Sequence, residues 1–112
     1  MFVRDRDGLL AFLKAAFAAV EGPRFREDAP VDVRIGDSLI MIADADGRPV
    51  TTGFFYVYVP DADATYSKAV EAGATTLEEP ALTFYGDRRA MVEDPFGNVW
   101  QIATHVRDAP VV

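Results

Sequence analysis

The sequence predicts an α+β fold made of two βαβββ modules, on three observations. Apolar residues fall at helical spacing in two separate segments, short β-type runs flank both, and the order of these elements is the same in the two halves. The first module is expected over about residues 1–46 and the second over about 52–107, within one domain, 1–112.

Met1 to Arg4 reads as the first strand. From Leu9 onward, Leu10, Leu13, Phe17 and Val20 share one helical stripe, with Asp5 or Asp7 to cap its start and Gly22-Pro23 to end it. Val31 to Ile35 alternates in polarity and Leu39 to Ala43 is continuously apolar; the turn-prone Gly36-Asp37 between them makes a β-hairpin. Asp44 to Pro49 is a polar connector. Phe54 to Val59 is rich in aromatic and β-branched residues, as a strand should be. Pro60 ends it, Asp61 or Asp63 caps a helix with the stripe Ala62, Tyr66, Ala69 and Val70, and Gly73 closes that helix. The last three strands are Thr75 to Leu77, resuming at Ala81 to Phe84, then Arg88 to Glu93, then Val99 to Thr104. Asp94-Pro95-Phe96-Gly97-Asn98 turns the chain between the final two.

Composition narrows the function. A chain of 112 residues that is 50% apolar and 12% aromatic builds a core and is not disordered. The absence of cysteine removes disulfides, thiolate metal sites and cysteine nucleophiles. A single histidine, His105, rules out a multi-histidine centre within one chain, and neither Ser38 nor Ser67 sits in a nucleophile-elbow context. The net charge of −7, with no basic run, argues against nucleic acid or an anionic membrane and suits a cationic guest. The longest apolar stretch, Leu9 to Val20, is broken by Lys14 and falls short of the roughly 20 residues a bilayer span needs. With no signal-peptide pattern at Met1 to Asp5, a cytoplasmic protein is expected.

Tyr85-Gly86-Asp87-Arg88, followed by Asp94-Pro95-Phe96-Gly97-Asn98-Val99-Trp100-Gln101-Ile102-Ala103-Thr104-His105, resembles the vicinal oxygen chelate superfamily. This group holds glyoxalase I, bleomycin-resistance proteins and extradiol dioxygenases, and the likeness is to its small PhnB-type branch. Val59-Pro60-Asp61, Glu71-Ala72-Gly73-Ala74 and Arg34-Ile35-Gly36-Asp37-Ser38 add to it, so that it covers nearly the whole chain. The resemblance implies a curved mixed sheet around a cleft, with helices on the outer face, and a homodimer. A short first strand that leaves a sheet edge uncovered points to the dimer as well.

Metal-dependent members of that superfamily carry one ligand on the first and one on the last strand of each module. Seven residues before Asp61 stands Phe54, which cannot coordinate, and four after Gly97 stands Gln101, a weak uncharged oxygen donor. The same count from Gly36 reaches Ile40, and the fourth position falls before Met1. No metal and no other cofactor is therefore expected. His105 lies four residues past Gln101, about 13 Å along the strand, and is not taken as a ligand.

By strand alternation, Phe54, Tyr56 and Tyr58 face the cleft with Val99, Gln101 and Ala103. Phe55, Val57 and Val59 face the helices, and Trp100 and Ile102 join the core. Arg88, in the matched Gly-Asp-Arg motif, is the candidate for an anionic group on the guest. Its neighbour Arg89 points to the opposite face, and the hairpin loop length decides which of the two meets the cleft. Asp94 is expected to accept local backbone N–H bonds. The expected function is that of a glyoxalase/bleomycin-resistance-like binder of a small organic molecule, cationic or aromatic, rather than a catalyst. The alternatives are a metal-dependent lyase, isomerase or dioxygenase, and a scaffold whose cleft is vestigial.

Overall fold

A computed structural model describes residues 1–108; the end of the expected 1–112 domain lies outside them. The first module runs β1 (Phe2–Val3), α1 (Arg6–Phe17), β2 (Val20–Glu21), β3 (Val31–Ile35) and β4 (Ser38–Asp44). The second runs β5 (Phe54–Tyr58), α2 (Ala62–Glu71), β6 (Thr75–Leu82), β7 (Asp87–Glu93) and β8 (Val99–His105). Each module forms a four-stranded sheet, ordered β1-β4-β3-β2 and β5-β8-β7-β6, in which the first strand lies parallel to the last. The expected βαβββ plan thus stands, with eight strands hydrogen-bonded as two mixed sheets of four.

Both helices start as their caps dictate. The Asp5 side chain accepts from the Gly8 N–H, and that of Asp61 from the Ala64 N–H, each satisfying an amide that the first helical turn leaves unpaired. The end of α1 differs from expectation. It stops at Ala18, whose φ of 54° is left-handed, and Val20 leaves the helical stripe to pair with Arg34 as part of β2. Two residues of strand pairing here outweigh one more turn of helix. In the second module β6 is continuous where two pieces were expected. Its register slips between Thr76 and Ala81, around Pro80, which is tolerated because β6 is an edge strand. Phe84 lies beyond its end.

Arg6 is the buried cation of the first module. It donates through Nη1 to the Ala29 carbonyl at 2.7 Å and through Nη2 to that of Glu27 at 2.7 Å, holding the loop before β3 against α1. The apolar core draws on both modules. Leu9, Leu13 and Phe17 of α1, Val31, Val33 and Ile42 of the first sheet, and Val92, Trp100 and Ile102 of the second form one cluster. Trp100 sits in it with Phe55 stacked at 4.4 Å on one side and Phe17 at 5.1 Å on the other. The molecule is nonetheless long, 50 × 25 × 25 Å, with a radius of gyration of 14.9 Å against about 13 Å for a compact chain of this length. The modules share a helical interior and leave the far faces of both sheets uncovered.

Candidate functional site

The uncovered face of the second sheet follows from pairing register. Phe54 pairs with Val99, Tyr56 with Gln101 and Tyr58 with Ala103, and across β8 Gln101 pairs with Met91, Ala103 with Arg89 and His105 with Asp87. Paired residues share a face, so Phe54, Tyr56, Tyr58, Gln101, Arg89, Asp87 and His105 all stand on it. Phe55, Val57 and Val59 pack on the core, and Trp100 and Ile102 are fully buried, as alternation requires. Phe54 is 69% exposed and Tyr58 61%, so within one chain these rings line an open face rather than an enclosed cleft.

Arg88 takes the other side. Its Nε donates to both oxygens of Asp63, at 3.2 Å each, beside the start of α2. Arg89 is the arginine on the tyrosine face. The reason is register: Asp87 opposes His105, which puts the odd-numbered residues of β7 on that face. Arg89 Nη1 donates to Gln101 Oε1 at 2.9 Å and Nη2 to Glu78 at 2.7 Å, while its Nε is buried with no partner among the described residues.

Asp87 organises the other end of the face. Only 1% exposed, its Oδ2 accepts from Tyr56 at 2.6 Å and Tyr58 at 2.9 Å, and its Oδ1 faces His105 Nδ1 at 3.0 Å. Because the Tyr56 hydroxyl spends its proton on Asp87, the Tyr85 hydroxyl 3.1 Å away donates to Tyr56. Gly86, with φ of 98°, makes the sharp turn into Asp87. A side chain there would strike the carbonyl of Arg107.

The electrostatics follow from this geometry. Burial by itself raises the Asp87 pKa, but the hydrogen bonds from Tyr56, His105 and Tyr58 outweigh it and hold the carboxyl below its usual range. Burial first, then the bond to Asp87, pushes the Tyr56 phenol far up, and the bond to Asp87 raises Tyr58. His105 is raised by its bond to Asp87 and by Asp108, which its Nε2 meets at 2.9 Å. A raised histidine stabilises the fold most below the unfolded value of 6.5 and loses that contribution as pH rises through its folded pKa. Thermal melts from pH 6.5 upward are therefore expected to fall more steeply for the natural chain than for His105→Gln. Parallel curves would contradict this.

Phe54 and Gln101 face the open side, and the Gln101 oxygen already accepts from a guanidinium, which repels a second cation. Ile40 does not correspond to Gln101. The β3–β4 hairpin closes Ile35 on Ser38 with two residues between, whereas β7–β8 closes Glu93 on Val99 with five, and the difference of three reverses the parity. Ile40 consequently packs against the core, and Leu39 and Met41 stand on the open face instead. The first module offers only apolar side chains at either choice. The residues present do not fit a divalent metal, and among the described residues no three histidine, aspartate or glutamate side chains gather to hold one. Among the same residues no helix is long and apolar enough to cross a membrane.

Comparison with known proteins adds three findings. The model of the Glyoxalase/Bleomycin resistance protein/Dioxygenase superfamily matches residues 1–102. An uncharacterized protein of Mycobacterium bovis is 39% identical over 62 residues, which are 55% of this chain and 39% of that protein. A Mycobacterium tuberculosis protein matches equally over 35% of its length, so the match takes in under two-fifths of these relatives. Among solved structures, TioX from a Micromonospora species superposes with a TM-score of 0.80 at 21% identity, covering 95% of this chain and 94% of that one. A glyoxalase/bleomycin resistance protein/dioxygenase family enzyme from Burkholderia phytofirmans gives 0.80 at 22%, with the same coverage. Lactoylglutathione lyase from Agrobacterium tumefaciens gives 0.70 at 18%, covering 93% and 88%. At these identities the structures share the fold.

Proposed function

Because the chain belongs to the glyoxalase/bleomycin resistance protein/dioxygenase superfamily, a fold that serves binding and catalysis alike, we propose that it binds a small organic molecule without a metal. The observation that carries this reading is the constellation on the open face of the second sheet. Three aromatic rings in a row on β5, Phe54, Tyr56 and Tyr58, stand beside Gln101 of β8 and across that strand from Arg89 and the buried carboxylate Asp87 of β7.

The rings offer flat apolar surface, and the Asp87 carboxylate makes their hydroxyl end favourable to positive charge. The Gln101 amide, beside Tyr56, provides a polar group on the same face. A planar aromatic cation, its ring on the phenyl surface and its charge toward Asp87, suits this face. The guanidinium on Gln101 is the argument against a divalent ion at the same place.

An open face needs a second wall, and a second copy of the chain is the proposed source. Val20, Leu39 and Met41 put exposed apolar side chains on the first sheet's outer face, beside Asp32 and Arg34, and two copies can cover each other's. Sedimentation at micromolar concentration is expected to return a dimer; a monomer would remove the second wall.

The binding test uses planar aromatic cations of the acridinium and quinolinium type, titrated by calorimetry. Binding is expected, weakened at least tenfold in Phe54→Ala. If instead nickel, zinc or manganese binds stoichiometrically and Gln101→Ala abolishes it, the metal-free reading is wrong.

A further inference from the structure

A recess with a volume of about 270 Å³ lies at the junction of the modules, along the edge of the strand that carries Tyr56 and Tyr58. Its floor is apolar, built from Ile35, Ile40, Phe55, Val57 and Trp100. These side chains are on the helix side of the two sheets, and Tyr56 and Tyr58, which also line the recess, join it to the aromatic face.

Its rims are two strand edges. On one side β1 covers β4 only at its end, pairing Phe2 with Ala43 and Val3 with Asp44. The Met41 carbonyl accepts from Met1 and the Ala43 N–H donates to it, so odd-numbered residues of β4 present their backbone on that side. One step earlier, Leu39 has no β1 residue opposite it. On the other side β5 bonds to β8 through its odd-numbered residues, as the Val99 N–H to Gly53 carbonyl and Val59 N–H to Ala103 carbonyl bonds establish. The N–H and C=O groups of Tyr56 and Tyr58 then point to the free edge of β5. Among the described residues, unused backbone groups of Leu39 on one side and of Tyr56 and Tyr58 on the other thus border an apolar floor.

We propose that this recess takes an extended peptide segment, which adds as a strand beside β5 and lowers an apolar side chain onto the Phe55-Trp100 floor. Main-chain hydrogen bonds supply the affinity and the floor selects the side chain, the division of labour in strand addition. Charge selects the flanks. Asp37, in the hairpin at the mouth, is the only charged side chain lining the recess among the described residues, and the protein carries a net charge of −7. A segment with basic residues on either side of its apolar anchor is the complementary partner.

The probe is an acetylated, amidated hexapeptide that alternates lysine with valine or phenylalanine, added to the full chain while amide exchange is followed by NMR. At ten times its dissociation constant, exchange at Leu39, Tyr56 and Tyr58 is expected to slow about tenfold, with a change in Trp100 fluorescence. Asp37→Asn, an exposed turn position, is expected to weaken the peptide severalfold at low salt and little at high salt. The peptide methylated on alternate backbone nitrogens is expected not to bind. Equal binding of the methylated peptide, slowing confined to other amides, or no binding at millimolar peptide would each overturn the proposal. So would full protection of these three amides in the dimer before any peptide is added, since the second copy would then fill the recess as well as cover the sheet faces.

Discussion

Asp94→Ala is expected to destabilise the protein by about 4 kcal/mol, the largest loss for any single carboxylate here. Asp94 is 3% exposed and accepts four hydrogen bonds: from the Phe96 N–H at 2.8 Å, the Asn98 N–H at 3.0 Å, Asn98 Nδ2 at 2.9 Å and Trp100 Nε1 at 2.8 Å. Asn98 and Trp100 are wholly buried, so their side-chain donors have no water to turn to. Each stranded donor costs roughly 1–3 kcal/mol, and the losses of the four donors are not fully additive, which places the total at about 4 kcal/mol. Asn98 adds a second consequence, because its Oδ1 accepts from the Gly53 N–H at the entry to β5. Urea denaturation followed by circular dichroism is the measurement. A lower midpoint at unchanged slope is expected, and a loss under about 1 kcal/mol would show that the turn tolerates unpaired donors.

Asp87→Asn is expected to cost about 2–3 kcal/mol, the range for hydrogen bonds to a charged group, and to change how three other residues titrate. The amide keeps the shape of the carboxylate but has one acceptor where Tyr56, Tyr58 and His105 need two. With the negative charge gone, Tyr58 should titrate nearer 10.0 and His105 nearer 6.5; Tyr56 should fall as well but stay raised by its burial. Ultraviolet absorbance of tyrosinate and the His105 ring proton shifts report these changes. The pH profile has a defined sign. A carboxylate with a lowered folded pKa contributes stability above its unfolded value of 3.8 and loses it as pH falls through the folded pKa. The natural chain should therefore lose stability below pH 3.8 more steeply than the variant. Unmoved tyrosine titration in Asp87→Asn would mean that the phenols do not depend on this carboxylate.

Some of this architecture is legible in the sequence because the physics is local. Alternation along β5 and β8 assigns the open and buried sides of both strands from one residue each, and the two helix caps are plain at Asp5 and Asp61. Other features depend on distant partners. Nothing in Ala18 announces a left-handed residue; α1 ends there because β3 offers Val20 and Glu21 a strand to join. The parity of Ile40 depends on a hairpin three residues shorter than its counterpart. Arg88 and Arg89 are separated only by the pairing of Asp87 with His105. Asp87 itself reads as one more surface charge until residues 56, 58 and 105 are brought to it from two other strands. Its position between Gly86 and Arg88, in the most specific motif of the chain, was the available signal.

The stack of Phe17, Trp100 and Phe55 also bears on how the molecule comes apart. Trp100 is the sole tryptophan, and its ring is held between a helix of one repeat and a strand of the other. Neither repeat can melt while leaving that ring dry, so the duplicated chain has the cooperativity of a single unit. Fluorescence of that one indole and circular dichroism of the whole backbone should trace the same transition.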